Sequence, residues 1–508
     1  MWEALGNVLT PYVFMWNIIG VLAGMIIGAL PGLSATMGVA ILTPLTFWLE
    51  PTAGLAVLLG VYNSAIWAGG ISAILINTPG TAASIAQTMD GYAMTKQKKI
   101  GLALNINTVY SVFGGLFSTV VLIYAAFPIA RFALKFGPPE FFALGLFGLS
   151  MMITVSGKEM LKGMMMGLFG VLVATVGFDP MFGVPRFTFG TYALMDGVPF
   201  TIALIGMFGI GEMLTQIYEK KFGSKDVYGE KLEITREMGR IWPTKQELKE
   251  SNLAVILSTA FSVLVGAIPG TGGSISSIIC WQQAKQLSKK PEEYGNGSFT
   301  GLAVSSVSNN ATIGGAMTTM MTLGIPGDPT TAVLIGSLMM YGLQPGPRLF
   351  VTNPSFVMNV MALMIIGNLS ILVLGMLTAK MSSVILYVKQ EVIWIAVIGF
   401  CILGSFAVNT SLSDIVVMMI AGFFGFLCKR ASIPMGPFIL ALLLGPIAES
   451  NFSRSLAMSQ GDYSIFFTRP VTLITLLITV FSLFFPLIRA YLKGRGMKQM
   501  EAFDQSDD

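Results

Sequence analysis

Residues 12–30 read YVFMWNIIGVLAGMIIGAL, an uncharged apolar run that closes on Pro31-Gly32. A run of that length spans a bilayer as a helix, because a helix satisfies its own backbone polar groups where no water reaches them. The proline-glycine pair then interrupts it. The same figure returns 238 positions later, where Gly28-Ala29-Leu30-Pro31-Gly32 is echoed by Gly266-Ala267-Ile268-Pro269-Gly270 at the end of the run from Leu253. A second pair follows in order: Gly69-Gly70 precedes Asn77-Thr78-Pro79-Gly80-Thr81, and Gly314-Gly315 precedes Gly324-Ile325-Pro326-Gly327-Asp328. In a third, Pro199-Phe200 leads to Glu212 as Pro437-Phe438 leads to Glu449. Three ordered matches mark an internal repeat.

The composition agrees with a lipid-embedded chain. Of 508 residues, 54% are hydrophobic and 11% charged, against about a quarter charged in a soluble domain. Further apolar runs include Ala53 to Thr78, Gly101 to Pro128, Phe299 to Gly324, Pro434 to Ala448 and Val471 to Ile488. With the shorter runs Leu33 to Leu49 and Gly272 to Gln283, about 15 membrane-embedded segments are expected, some re-entrant. Between the halves, Glu219 to Glu250 carries eight Lys or Arg and seven Asp or Glu. This linker is placed in the cytoplasm with Lys96, Lys98, Lys99, Lys158, Lys162, Lys285, Lys289, Lys290, Lys429, Arg430 and Lys493 to Lys498, by the bias of basic residues. Arg131, Lys135, Arg186, Arg348 and Arg454 then fall outside. The first run starts from the external side, while its echo starts from the cytoplasmic linker, so the halves are antiparallel.

The expected fold is therefore all-α: an integral membrane, polytopic helical bundle of two inverted-topology repeats with broken or re-entrant helices. The division is 1–218, first repeat; 219–251, charged cytoplasmic linker; 252–450, second repeat; 451–508, final transmembrane helix and cytoplasmic tail. Inverted repeats are characteristic of secondary transporters, whose substrate lies near the midplane. The amino terminus has Glu3 and no basic flank, unlike a cleaved signal peptide, so the first run is expected to stay.

Several function classes lose ground at once. A net charge of +4 spread over loops gives no nucleic-acid surface. Histidine is absent, which removes Ser-His and Cys-His catalysis and His-ligated metals. Cys280, Cys401 and Cys428 lie in or beside apolar runs and read as packing residues. No phosphate loop is present, and Gly270-Thr271-Gly272-Gly273 lacks the preceding strand of a dinucleotide site.

The breaks are the candidate site. Half-helix starts expose backbone N–H groups and a positive dipole end that holds a carboxylate without a lysine. The substrate-binding candidates are Pro31, Gly32, Ser34, Asn77, Thr78, Pro79, Gly80, Thr81, Gly270, Thr271, Asn309, Asn310, Pro326 and Gly327. Asn309 and Asn310 belong to an unusually polar span, Ser305 to Asp328, whose hydroxyls also suit plain helix-to-helix bonding. Asp328 and Thr330 offer oxygens for an ion-coupling role, because an ionisable group in a membrane span is expensive. For Glu212 and Glu449 an interfacial resting place is expected.

GALPGLSATMGVAILTPLTF from Gly28, INTPGTAAS from Ile76, GAIPGTGGS from Gly266 and LGIPGDPTTAVLIG from Leu323 resemble the large membrane subunit of the tripartite tricarboxylate transporter family. So does ESNFSRSLAMSQGDYSIFFTRP from Glu449, and the likeness covers essentially the whole chain. Pro31, Gly32, Asn77, Pro79, Gly80, Thr81, Pro269, Gly270, Pro326, Gly327 and Asp328 match its motifs. The resemblance implies a secondary carrier of the bacterial inner membrane, importing citrate or another carboxylate. It also implies a small membrane subunit, a periplasmic solute-binding protein, a sodium or proton gradient as driving force and no resident cofactor. An ion or solute channel and a lipid-modifying enzyme are the alternatives.

Overall fold

The structure, a computed structural model, describes residues 2–30, 32–155, 159–179, 181, 183–222, 239–378 and 390–484. Pro31, Lys158, Lys493 to Lys498 and residues 223–238 of the linker lie outside them. The described chain is overwhelmingly helical. Before the linker run α1 (Trp2–Val8), α2 (Pro11–Ala29), α3 (Ala35–Thr46), α4 (Pro51–Ile76), α5 (Ile85–Lys96) and α6 (Ile100–Ala133). Then come α7 (Pro138–Val155), α8 (Met160–Ala174), α9 (Phe200–Leu204), a π-turn (Ile205–Ile210) and α10 (Gly211–Phe222). After it run α11 (Lys245–Gly266), α12 (Gly272–Leu287), α13 (Phe299–Leu323), α14 (Pro329–Met340), α15 (Leu349–Thr352) and α16 (Pro354–Thr378). The last are α17 (Gln390–Asn409), α18 (Leu412–Arg430), α19 (Gly436–Met458), α20 (Ile465–Thr468) and α21 (Pro470–Phe484).

Among the described residues, seven stretches are long and apolar enough to cross a membrane: α2, α4, α6, Phe200–Lys221, α11, α16 and α18. Five shorter apolar helices accompany them, α3, α8, α14, Trp394–Asn409 and α21. Many large apolar side chains face outward, among them Leu253, Leu257, Leu264, Val373, Leu377, Ile420 and Phe423. Water would penalise such a surface, and lipid does not. The protein is an all-α polytopic membrane protein.

Packing groups the chain into two compact units, Met1–Leu134 with Val198–Ser432, and Lys135–Gly197 with Ile433–Asp508. The first unit is centred on α4 and α13. Helix α4 is buried from Ala53 to Leu75, and α13 is buried along nearly its whole length despite its hydroxyls and amides. A helix apolar or small on every side belongs inside.

Small residues set the closest approaches. On α2, Gly20, Gly24 and Gly28 abut Val57, Val61 and Ala65 of α4, and a Cβ at any of them would overlap the α4 backbone or Ser64. The matching positions of α11 are Ser258, Ser262 and Gly266, the last lying against Thr312 of α13. A stripe of small residues every fourth position lets membrane helices approach where no hydrophobic drive exists. The matches are regular: α2 and α11 share an offset of 238, while Ala65 and Thr312 are 247 apart.

The second unit holds α7, α8, α19, α20, α21 and a short antiparallel ladder pairing Gly177–Phe178 with Pro185–Arg186. Glu140 accepts from the Gly137 amide, Arg469 and Thr472 at 2.8, 2.9 and 3.1 Å. Arg186 grips Glu449 through both its terminal nitrogens, at 2.5 and 3.2 Å, and meets Asp179 at 3.1 Å. That pairing explains a departure from the hydropathy reading. The apolar run was expected to end at Ala448, before Glu449, yet α19 continues to Met458, because a charge with a bonded guanidinium partner need not sit at a helix end. Residue 450, expected as a repeat boundary, therefore falls inside a helix.

Candidate functional site

Four helix breaks face one another inside the first unit, two from each half, and each is made by residues that cannot continue a helix. Helix α2 gives way at Leu30, Gly32 takes φ +89°, and Ser34 caps α3 by accepting from the Met37 amide at 3.1 Å. Helix α4 ends on Asn77 in the left-handed region, φ +56°; Thr81 and Ser84 then form a reciprocal cap leading into α5. Helix α11 ends at Gly266 and α12 starts at Gly272. Helix α13 ends on Gly324, φ +72°, and Asp328 with Thr331 caps α14. Asn77 and Gly324 are 247 positions apart, as are Thr81 and Asp328, and Ser84 and Thr331. At the second break of each half, the capping residues thus stand at matching positions.

Within each half the two breaks lock together through glycine. Neither Gly80 nor Gly327 has a positive φ, so backbone freedom is not their reason. A Cβ on Gly80 would overlap Gly28 O, and one on Gly327 would stand 2.5 Å from Gly266 O and 2.6 Å from Ala316 Cα. Gly270 donates its amide to Gly327 O at 2.7 Å. The proline-glycine motifs are contact points between two interrupted helices.

Between the halves the breaks meet through polar side chains. Tyr62 Oη on α4 donates to Asp328 Oδ2 at 2.5 Å. The hydroxyls of Thr36 and Thr330 lie 2.8 Å apart. Ser277 Oγ of α12 donates to Ala83 O at 3.1 Å. Deeper in, Asn309 Nδ2 donates to Ile66 O at 3.4 Å and Asn310 Nδ2 to Asn63 O at 3.3 Å. Gln87 Nε2 donates to Asn107 at 2.7 Å and to Ser306 at 3.0 Å. The acceptor oxygens Asn309 Oδ1, Asn310 Oδ1 and Gln87 Oε1 are buried without a protein partner. Bare buried acceptors are costly and call for a ligand or water.

Of the sequence candidates, Gly32, Ser34, Asn77, Thr78, Gly80, Thr81, Gly270, Thr271, Asn309, Asn310, Gly327, Asp328 and Thr330 all lie on these breaks or on the polar core of α13 behind them. Pro79 and Pro326 sit in the turns, and Pro31 is outside the described residues. The carboxylate oxygens of Asp328 are already engaged, Oδ2 by Tyr62 and Oδ1 by the amide and hydroxyl of Thr331 at 2.7 and 2.8 Å. Thr330 pairs with Thr36. No group of three or more Cys, Asp or Glu suited to a metal occurs among the described residues.

Sequence reading missed a second contact between the halves. Asp90 of α5 is fully buried. Its Oδ2 accepts from Trp281 Nε1 at 2.7 Å, and its Oδ1 from the amides of Gly295, Gly297 and Ser298 at 2.8, 3.1 and 2.8 Å. Burial pushes its carboxyl up from the ordinary value, and the four donors pull it partly back. Gln216 was also missed: it donates to Gly32 O at 2.9 Å and accepts from Trp394 Nε1 at 2.9 Å, bracing the first break from α10. Glu212, for which an interfacial resting place is expected, pairs with Lys429 at 2.6 Å. Only the mid-chain location of a buried aspartate could have flagged Asp90, since its partners lie about 190 to 210 residues away.

Residues 14–440 match the family described as "Tripartite tricarboxylate transporter TctA family". An uncharacterized 52.8 kDa protein in the TAR-I ttuC' 3' region of Agrobacterium vitis is 34% identical over 463 residues, 91% of each chain. An uncharacterized protein in the TAR-II ttuC' 3' region of the same organism is 29% identical over 208 residues, 41% of this chain and 86% of its own. No solved structure matches.

Proposed function

The chain belongs to the TctA family of tripartite tricarboxylate transporters, and on that premise we propose that it imports a small carboxylate through the facing helix breaks, driven by an ion gradient. Family membership makes it a transporter subunit. The substrate, the coupling ion, the inner-membrane location and the small-subunit and binding-protein partners are the finer part of the proposal.

The observation that carries it is the convergence of two breaks from each half on one cluster of turns, with the caps of the second break in each half at matching positions. That arrangement supports inverted repeats with a site where they meet. Interrupted helices offer N–H donors and a dipole end to an anion while keeping lysine out of the membrane. Residues 1–218 and 252–450 are then the two repeats.

The same geometry supplies a reason for coupling. A Cβ on Gly272, at the start of α12, would lie 3.9 Å from Asp328 Cβ. A carboxylate bound at that helix start meets Asp328 as a like charge, and a proton or sodium ion arriving with it removes the repulsion. Acid and cation each favour the other's binding, which is the thermodynamic content of symport.

Labelled citrate uptake tests the reading. In proteoliposomes holding the chain with its small subunit and binding protein, an imposed sodium or proton gradient should drive accumulation above equilibrium. Citrate flux that only equilibrates, with no counterflow, would identify a channel instead.

A further inference from the structure

Four helices begin at the breaks, and three of the starts are capped from within the chain: α3 by Ser34, the turn into α5 by Thr81 with Ser84, and α14 by Asp328. The fourth, α12, is bare. Its N-cap residue Thr271 makes no side-chain cap. The Thr271 hydroxyl turns back instead, onto the carbonyls of Val265 and Ile268. Where the first half has Ser34, the second has Gly272, 238 positions later, and no hydroxyl is available. The first-turn amides of an uncapped helix keep their donors free, and residues 271–275 are partly exposed.

Asn309 stands beside these donors with the opposite need. It is 0% exposed, its Nδ2 is used on Ile66 O, and its Oδ1 has no partner. A Cβ on Gly273 would lie 3.0 Å from that oxygen and 3.2 Å from Ala83 Cβ. Any side chain at position 273 would therefore press on Asn309 and on the facing turn. With glycine at 273, no side chain separates the first turn of α12 from Asn309 Oδ1.

A bare carboxylate would satisfy the amides but turn a negative oxygen toward the amide oxygen of Asn309. The group that satisfies both is a carboxylate with a hydroxyl on the adjacent carbon: the carboxylate accepts from the α12 amides and the hydroxyl donates to Asn309 Oδ1. We propose that the first turn of α12 and Asn309 together form a subsite that selects 2-hydroxy carboxylates over the same acids without the hydroxyl. The inference rests on the carrier reading above and adds the specificity determinant to it.

The test uses two pairs of acids that differ by that hydroxyl, citrate with tricarballylate and malate with succinate, as competitors of labelled uptake by the reconstituted complex. The hydroxylated member of the pair the carrier accepts should compete at least about tenfold better in the wild-type protein, because a site built around a hydroxyl loses a bond to the analogue without it. Asn309→Ala should erase the preference, bringing the hydroxylated acid down to its analogue when both are read as a ratio within one preparation. Equal competition by both members in the wild type overturns the subsite, and so does an Asn309→Ala protein that weakens both alike. The wild-type comparison needs no variant, so a poorly folding substitution leaves it intact. If none of the four acids competes in a folded preparation, the carboxylate reading itself fails, an outcome distinct from loss of discrimination.

Discussion

At Asp90, four donors from the second half converge on one carboxylate of the first. Asparagine would keep an oxygen for the three backbone amides but turn an N–H toward Trp281 Nε1–H. Leaving that buried donor unpaired should cost ~1–3 kcal/mol, visible as a lower melting temperature of D90N in detergent at neutral pH. The sign of the pH dependence follows from the raised carboxyl. A group whose folded value lies above its unfolded value, ~3.9 for aspartate, contributes stability that is full below the unfolded value and is lost as pH rises through the folded one. The wild-type protein should lose that increment across the window and D90N should lack the slope; a parallel pH profile for the two would contradict the assignment. The chemistry of this residue was not legible in sequence, because nothing local marks a partner so far along the chain.

At the scale of elements, the breaks were legible and their reason was not. Proline and glycine announced where α2, α4, α11 and α13 stop, and the caps at Ser34, Thr81 and Asp328 follow from residue types favoured at helix starts. The motif glycines Gly80 and Gly327 looked like turn residues, but their backbones are ordinary and the constraint is the neighbouring helix. Gly327→Ala should therefore behave as overpacking, destabilising by about 1–3 kcal/mol or more, whereas the same change at an unconstrained turn would be nearly silent. Thermal unfolding of the purified variant decides between them. The polar face of α13 was also legible as a list of residues, but not which acceptors stay bare. That depends on Asn309 and Asn310 spending their donors on carbonyls of α4. The apolar run stopped short of the end of α19, where a paired glutamate sits inside the helix rather than beyond it.

For the whole molecule, residues at offsets of 238 and 247 make similar contacts in the two halves. Gly28 against Ala65 matches Gly266 against Thr312, and Gly80 at Gly28 matches Gly327 at Gly266. Packing also makes a division that hydropathy did not suggest, since each compact unit takes residues from both sides of the linker. Contacts between residues hundreds of positions apart define such units, and periodicity does not encode them. On the carrier reading, the matched breaks present one site to each side of the membrane in turn.

Thiol accessibility at Ala83 tests this most directly. Ala83 is a half-exposed residue of the first-half turn that faces the α12 start. The three natural cysteines, all buried and unpaired, would be replaced and a single cysteine placed at position 83. Membrane-impermeant thiol reagents should label it in both right-side-out and inside-out vesicles, with citrate slowing both reactions. Labelling confined to one side under every ion gradient and ligand condition would contradict a site carried between the two faces by the helix breaks.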